Sequence, residues 1–178
     1  MNSVRTYLFL LLVLSVVAVN GQHHEPSAKQ SNAPVDLGEI SFPTSGPAEA
    51  QKHFIQGVLL LHSFEYSRAR AAFAEAIRLA PDFAMAYWGE AMTCDHPIWP
   101  ENDKAGGLAA LTKLAPTPAE RRSKAPTERE KMYLDAVERL YGDGDSTARA
   151  LAYSDAMAEL TRRFPRSEER RVGKECCR

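Results

Sequence analysis

The side chains in this chain that could do chemistry are histidines, a cysteine and a few acids, and they gather in two short stretches. His62 and Ser63 are adjacent, and Cys94, Asp95 and His96 are consecutive. Two imidazoles with a thiolate or a carboxylate would suit zinc or a softer metal, because nitrogen and sulfur donors match those ions. The close ligand spacings HExxH and CxxC are absent from these stretches, so polar contacts or plain surface positions are the simpler reading and no metal is expected. His62 and Ser63, with Glu65 and Asp95 as acids, offer a base beside a nucleophile, yet no GxSxG turn presents the serine. Neither GxxxxGKS/T nor GxGxxG occurs, and Gly142-Asp143-Gly144-Asp145 has too few ligands at calcium-loop spacing. Gln22-His23-His24 would put a histidine third behind a free amine, a copper(II) arrangement, but an N-terminal glutamine tends to cyclise. These patterns call for no catalytic residue and no cofactor.

The 178 residues are 44% hydrophobic and 25% charged, which excludes a disordered, collagen-like or multi-span membrane chain. A net charge of -1 gives no reason to expect nucleic acid or anionic membrane as a partner. Residues 1–21 read as a secretory signal, with Arg5 ahead of an apolar run from Tyr7 to Val19 and small residues before a cut at Gly21. That run is too short for a span, which needs about 20 residues. Arg166 to Cys176 reads RSEERRVGKEC and resembles a translated sequencing adapter, so residues 166–178 are set aside as an artefactual tail. Removing the tail's five basic and three acidic residues, and Arg5, leaves 16 basic against 20 acidic, a net of -4. Cys94 is then the only cysteine, and the fold must hold by packing without an internal disulfide.

The elements that position these residues are helical throughout. Residues 22–47 are rich in proline and polar residues and read as a disordered, extended leader. From Ala48 the apolar residues recur at three and four, alanine dominates, and no alternating strand is evident. Helices are expected from Ala48 to about Ser63, from Ser67 to Ala80, and from Phe83 to about His96, the last capped by Asp82. HPIWP, Gly106-Gly107, Pro116, Pro118 and Pro126 then interrupt the pattern, leaving room for short helices at Lys104–Leu114 and Pro118–Lys124. Thr117 with Glu120, and Thr127 with Glu130, have capping-box spacing. The second box opens a helix to about Tyr141, and a last one runs from about Thr147 to Phe164. The charged runs Glu120–Arg122 and Glu128–Lys131 read as solvated helix surface.

Gly57-x2-Leu60, Tyr66, Ala69-x3-Phe73, Ala76 and Pro81 together resemble the tetratricopeptide repeat, a 34-residue helix-turn-helix unit. The match covers Ala50 to Phe83, with departures at His53, Gln56 and Leu60, where the family favours tryptophan, leucine and tyrosine. Ala84 to His96 is similar to the first helix of a second unit, without the second helix following it directly, and residues 127–165 resemble a third, divergent one. The resemblance implies an all-α fold over residues 48–165, a short solenoid of stacked antiparallel hairpins. In such a solenoid the first helices line a groove that receives a protein or peptide. Carried over by position, the groove side includes Gln51, Phe54, Val58, Leu61 and His62 from the first unit and Met85, Trp88, Met92, Asp95 and His96 from the second. Aromatic and methionine side chains there offer large, adaptable contact area. Stacking would also set His62 beside His96.

The expected function is therefore an exported, secreted or periplasmic scaffold binding a protein or peptide, with no enzyme activity, no nucleic acid and no membrane once the signal is removed. The alternatives are a targeting module of an enzyme whose catalytic region lies beyond this chain, or a metal-binding exported protein.

Overall fold

A computed structural model of the chain describes residues 37–99 and 101–165; the signal, the Gln22-His23-His24 stretch and the tail after Pro165 lie outside them. Among the described residues there are seven helices: α1 (Ala48–His62), α2 (Tyr66–Leu79), α3 (Ala84–Met92), α4 (Lys104–Leu114), α5 (Pro118–Lys124), α6 (Glu128–Leu140) and α7 (Ser146–Arg163). None of them is long and apolar enough to cross a membrane. The described residues thus form an all-helical fold apart from one short hairpin, β1 (Asp95–His96) paired antiparallel with β2 (Glu101–Asn102). Helices α1 and α2 pack on each other, as do α3 and α4, and α6 and α7, while α3 also meets α1 and α6.

Small residues and one aromatic explain the close approach of the first three helices. Gly57 of α1 and Gly89 of α3 both press on the ring of Phe73 from α2, a ring that is fully buried. A second such fit lies between α4 and the residue after α6, where Gly107 meets the Tyr141 ring and the Tyr141 hydroxyl donates to Ala91 O at 2.7 Å. Thr117 and Glu120 form the full capping box at α5. At α6, Thr127 Oγ1 accepts from Glu130 N at 3.2 Å, but the Glu130 carboxylate turns inward and accepts from Ser45 N at 2.6 Å. Thr127→Ala should cost about 1 kcal/mol, the usual worth of an N-cap, read as a shift of the urea midpoint.

Four expectations need correction. Helix α3 stops at Met92, because Thr93 Oγ1 donates back to Glu90 O at 2.7 Å and the chain turns into the hairpin, so Asp95 and His96 lie in β1 and not in a helix. Asp82 does not cap α3; its carboxylate pairs with Lys124 at 3.1 Å. The charged runs are not wholly surface: Arg121 and Glu130 are buried, and the Arg121 guanidinium meets Glu138 at 2.5 Å and donates to Ala115 O and Pro116 O. Most consequential, the end of the expected leader is core. Phe42 is 2% exposed and its ring lies 5.3 Å from that of Phe54 in α1, 6.1 Å from Trp88 in α3 and 5.4 Å from Tyr133 in α6. Gln51 Nε2 donates to Phe42 O at 2.7 Å, and Arg129 Nη1 to Pro43 O at 2.7 Å.

Candidate functional site

The ten residues expected to line a groove do not lie together, and Gln51 is tied to Phe42 O beside the core. Phe54, Val58, Met85 and Trp88 are buried, each at 2% exposure or less. Phe42 covers Phe54 and Trp88 where α1, α3 and α6 meet, so these four side chains hold the fold together and do not form an open surface. His62, Met92 and Asp95, in contrast, line a cavity of about 490 Å³ together with Leu61, Phe64 and Tyr153. A second cavity of about 410 Å³ shares Asp95, Pro97, Leu140 and Ala150 with the first. His96 flanks this cleft, stacked on Tyr66 with ring centroids 3.9 Å apart. The C-terminal ends of α1, α3 and α6 supply one wall, the β1–β2 hairpin and the loop inside it a second, and α7 a third. Volumes of this order are those of ligand sites.

The turn between α1 and α2 shapes one lip of the cleft. Glu65 N donates to Leu60 O at 2.9 Å and Phe64 N to Leu61 O at 3.1 Å, the bonding of a Schellman helix end. That motif needs a left-handed residue, ordinarily glycine. Here Phe64 takes it, with φ 61°, and it is the only non-glycine residue with positive φ among those described. A bulky residue there costs about 1–2 kcal/mol, and strain of this kind collects at functional positions. The ring so placed is 45% exposed and lies 6.1 Å from the Trp99 ring. Phe64, Ile98, Trp99 and Leu151, four of the five exposed large apolar side chains among the described residues, border this one cleft or touch the rings that do; Leu79 is elsewhere.

Half of the residues lining the two cavities carry polar groups. Asp95 accepts from Asn102 Nδ2 at 2.8 Å. Burial, aided by the negative charge of Asp95, raises the phenol pKa of Tyr66 and of Tyr153, so both remain protonated donors at neutral pH. Desolvation lowers the His62 pKa, which favours a neutral ring at the cleft mouth. His96 faces acceptors at both nitrogens, Glu101 Oε2 at 3.3 Å and Thr93 O at 3.1 Å, and each neutral tautomer can donate to only one of them.

Among the described residues, the groups suited to acid-base, thiol and metal chemistry are not brought together. Ser63 Oγ donates to Leu59 O at 2.9 Å and so points back at its own helix, not at His62. The buried Cys94 thiol receives Arg70 Nη2 at 3.1 Å, and burial, against the Arg70 charge, raises its pKa, which makes it a poor nucleophile. Among the described residues no three His, Cys, Asp or Glu side chains gather in a group able to hold a metal. Of the positions expected for a groove, Leu61, His62, Met92, Asp95 and His96 lie at this cleft, whereas Phe64, Ile98, Trp99, Leu151 and Tyr153 were not among them. The motif HPIWP was the available signal for two of these, since it sets Ile and Trp between prolines in a segment with no helical partner face. Against known proteins, the chain matches no family model, no curated protein and no solved structure.

Proposed function

We propose that the chain is an exported helical-repeat scaffold that binds a peptide segment of a partner protein in the cleft between the ends of α1, α3 and α6, the β1–β2 hairpin and α7. The observation that carries this reading is the grouping of exposed apolar side chains around one cleft, with Phe64 held there in a strained backbone conformation. Exposed apolar residues scattered singly need no explanation, whereas a contiguous patch beside a cavity is the mark of a binding surface. Apolar and polar lining residues in equal number, with no reactive pair among the described residues, suit recognition better than catalysis.

A tetratricopeptide-type arrangement is part of the proposal. The successive hairpins α1–α2, α3–α4 and α6–α7 support it, as does the contact of α3 with both α1 and α6. So does the Gly57 and Phe73 fit, which is what the repeat's small and aromatic positions would do. On this view β1–β2 is an insertion that delays the second helix of the middle unit, and α4 is that helix. Export rests on the N-terminal sequence, Arg5 followed by the apolar run to Val19.

Phe64→Gly tests the reading by separating stability from binding. Glycine accepts the left-handed turn freely, so the variant should gain about 1 kcal/mol of stability by relief of strain. It should also lose several-fold in affinity for a dye-labelled heptapeptide of leucine and serine with norleucine at its centre, followed by fluorescence anisotropy. A variant that is stabilised yet binds this peptide as tightly as the parent would remove the rim from the binding surface.

A further inference from the structure

Charge around the cleft goes beyond its apolar lining, and it points to the kind of segment that fits. Asp95 lines both cavities, at the boundary between them. Its carboxylate has one hydrogen bond, from Asn102 Nδ2 at 2.8 Å, and enters no ion pair among the described residues. The nearby cations are committed elsewhere. Arg149 donates to Leu140 O at 3.1 Å, Gly144 O at 2.7 Å and Asn102 Oδ1 at 3.0 Å, so it braces the residue that holds Asp95 and makes no direct pair with Asp95. Lys104 Nζ donates to Gly142 O at 2.5 Å, and Arg70 serves Thr93 Oγ1 and Cys94. Glu101, which lines the smaller cavity, adds a second negative charge. Phe64 and Tyr66 line the larger cavity with Asp95, and Trp99 meets both of them, the three centroids lying 6.1–6.4 Å apart with ring planes at 58–85° to one another. Aromatic rings in the same cavity as a carboxylate without a direct ion pair favour a cation with a hydrocarbon stem, because the rings attract the charge and pack on the stem.

We infer that the segment bound in this cleft is basic, presenting a lysine or arginine side chain to Asp95 while its aliphatic neighbours fill the two cavities. The inference rests on the proposed peptide-binding reading and specifies its partner. Charge complementarity of this kind selects the partner and rejects an acidic one more than it adds raw affinity.

Three heptapeptides of leucine and serine, identical except for lysine, norleucine or glutamate at the centre, measured by anisotropy with the full chain, decide it. The expected order is lysine tightest, about tenfold over norleucine, a charge-assisted hydrogen bond's worth, with glutamate weakest. Asp95→Asn should abolish the difference between lysine and norleucine, since the amide oxygen can still accept from Asn102 Nδ2 and only the charge is lost. Norleucine bound as tightly as lysine, or an Asp95→Asn variant that keeps the lysine preference, overturns the basic segment while the apolar cleft stands. Failure of all three peptides to bind overturns both. Competition by n-butylamine at concentrations comparable with the lysine peptide would show a site for a free amine and overturn the peptide partner.

Discussion

Phe42→Ala should destabilise the chain by about 3–5 kcal/mol, the cost of truncating a fully enclosed phenylalanine. The ring is 2% exposed and touches one aromatic from each of α1, α3 and α6. Removing it would leave a cavity bordered by Phe54, Trp88 and Tyr133, three rigid rings held from behind by other core residues, so little collapse can repair it. The Arg129 guanidinium, 4.8 Å from the Phe42 centroid and 5.4 Å from that of Tyr133, would lose one of its two aromatic faces as well. Against a total stability of about 5–15 kcal/mol for a domain, such a loss brings the fold near its limit. Urea titration of parent and variant measures it. A loss below about 1 kcal/mol, far under the large-to-small range, would mean that the segment before α1 is draped on the helices without completing their core.

Periodicity made the helices readable because their burial is local and repeats. Lys104–Leu114 and Pro118–Lys124 end where the spacing and caps place them, and α1, α2, α6 and α7 differ by a residue or so at their ends. What escaped were long-range partners. Phe42 sits among prolines and polar residues, and nothing in its neighbours says that three helices close over it. Glu130 has capping-box spacing, yet its carboxylate serves Ser45 far earlier in the chain. The groove positions failed for the same reason. Phe54 and Trp88 do face each other, 6.4 Å apart, but Phe42 covers both, and Val58 and Met85 are buried as well. The cleft was half legible, since His62 and Met92 end their helices and Asp95 and His96 follow α3 closely in the chain. Its other half depends on the hairpin that turns Ile98 and Trp99 outward, and that turn has no helical period to announce it.

Placing alanine at both Gly57 and Gly89 should have a cost comparable with that of Phe42→Ala, although alanine is the better helix former. The propensity gain is about 1 kcal/mol per site. Overpacking a rigid core opposes it by about 1–3 kcal/mol, occasionally more, and the geometry sets which effect wins. A Cβ at Gly57 would lie 2.6 Å from Phe73 Cε1, and one at Gly89 would overlap the same atom. Were only one side blocked, the ring could tilt away. The two glycines belong to different helices and both press on this single ring, while Phe54 lies 5.9 Å off, so relief from one methyl drives the ring toward another neighbour. The net loss should be about 2 kcal/mol for Gly89→Ala and about 4 kcal/mol for the pair, with strain outweighing propensity. The coupling with Phe73 supplies a sharper measurement than the loss alone. Phe73→Leu on its own should destabilise, since it opens space that α1 and α3 cannot fill. In the Gly89→Ala background the same change should cost less or nothing, because the smaller side chain leaves room for the methyl, giving a double-mutant coupling of about 1–2 kcal/mol. Additive effects, or a doubly substituted chain more stable than its parent, would show that helix approach here is set by something other than the contact of two glycines with one ring.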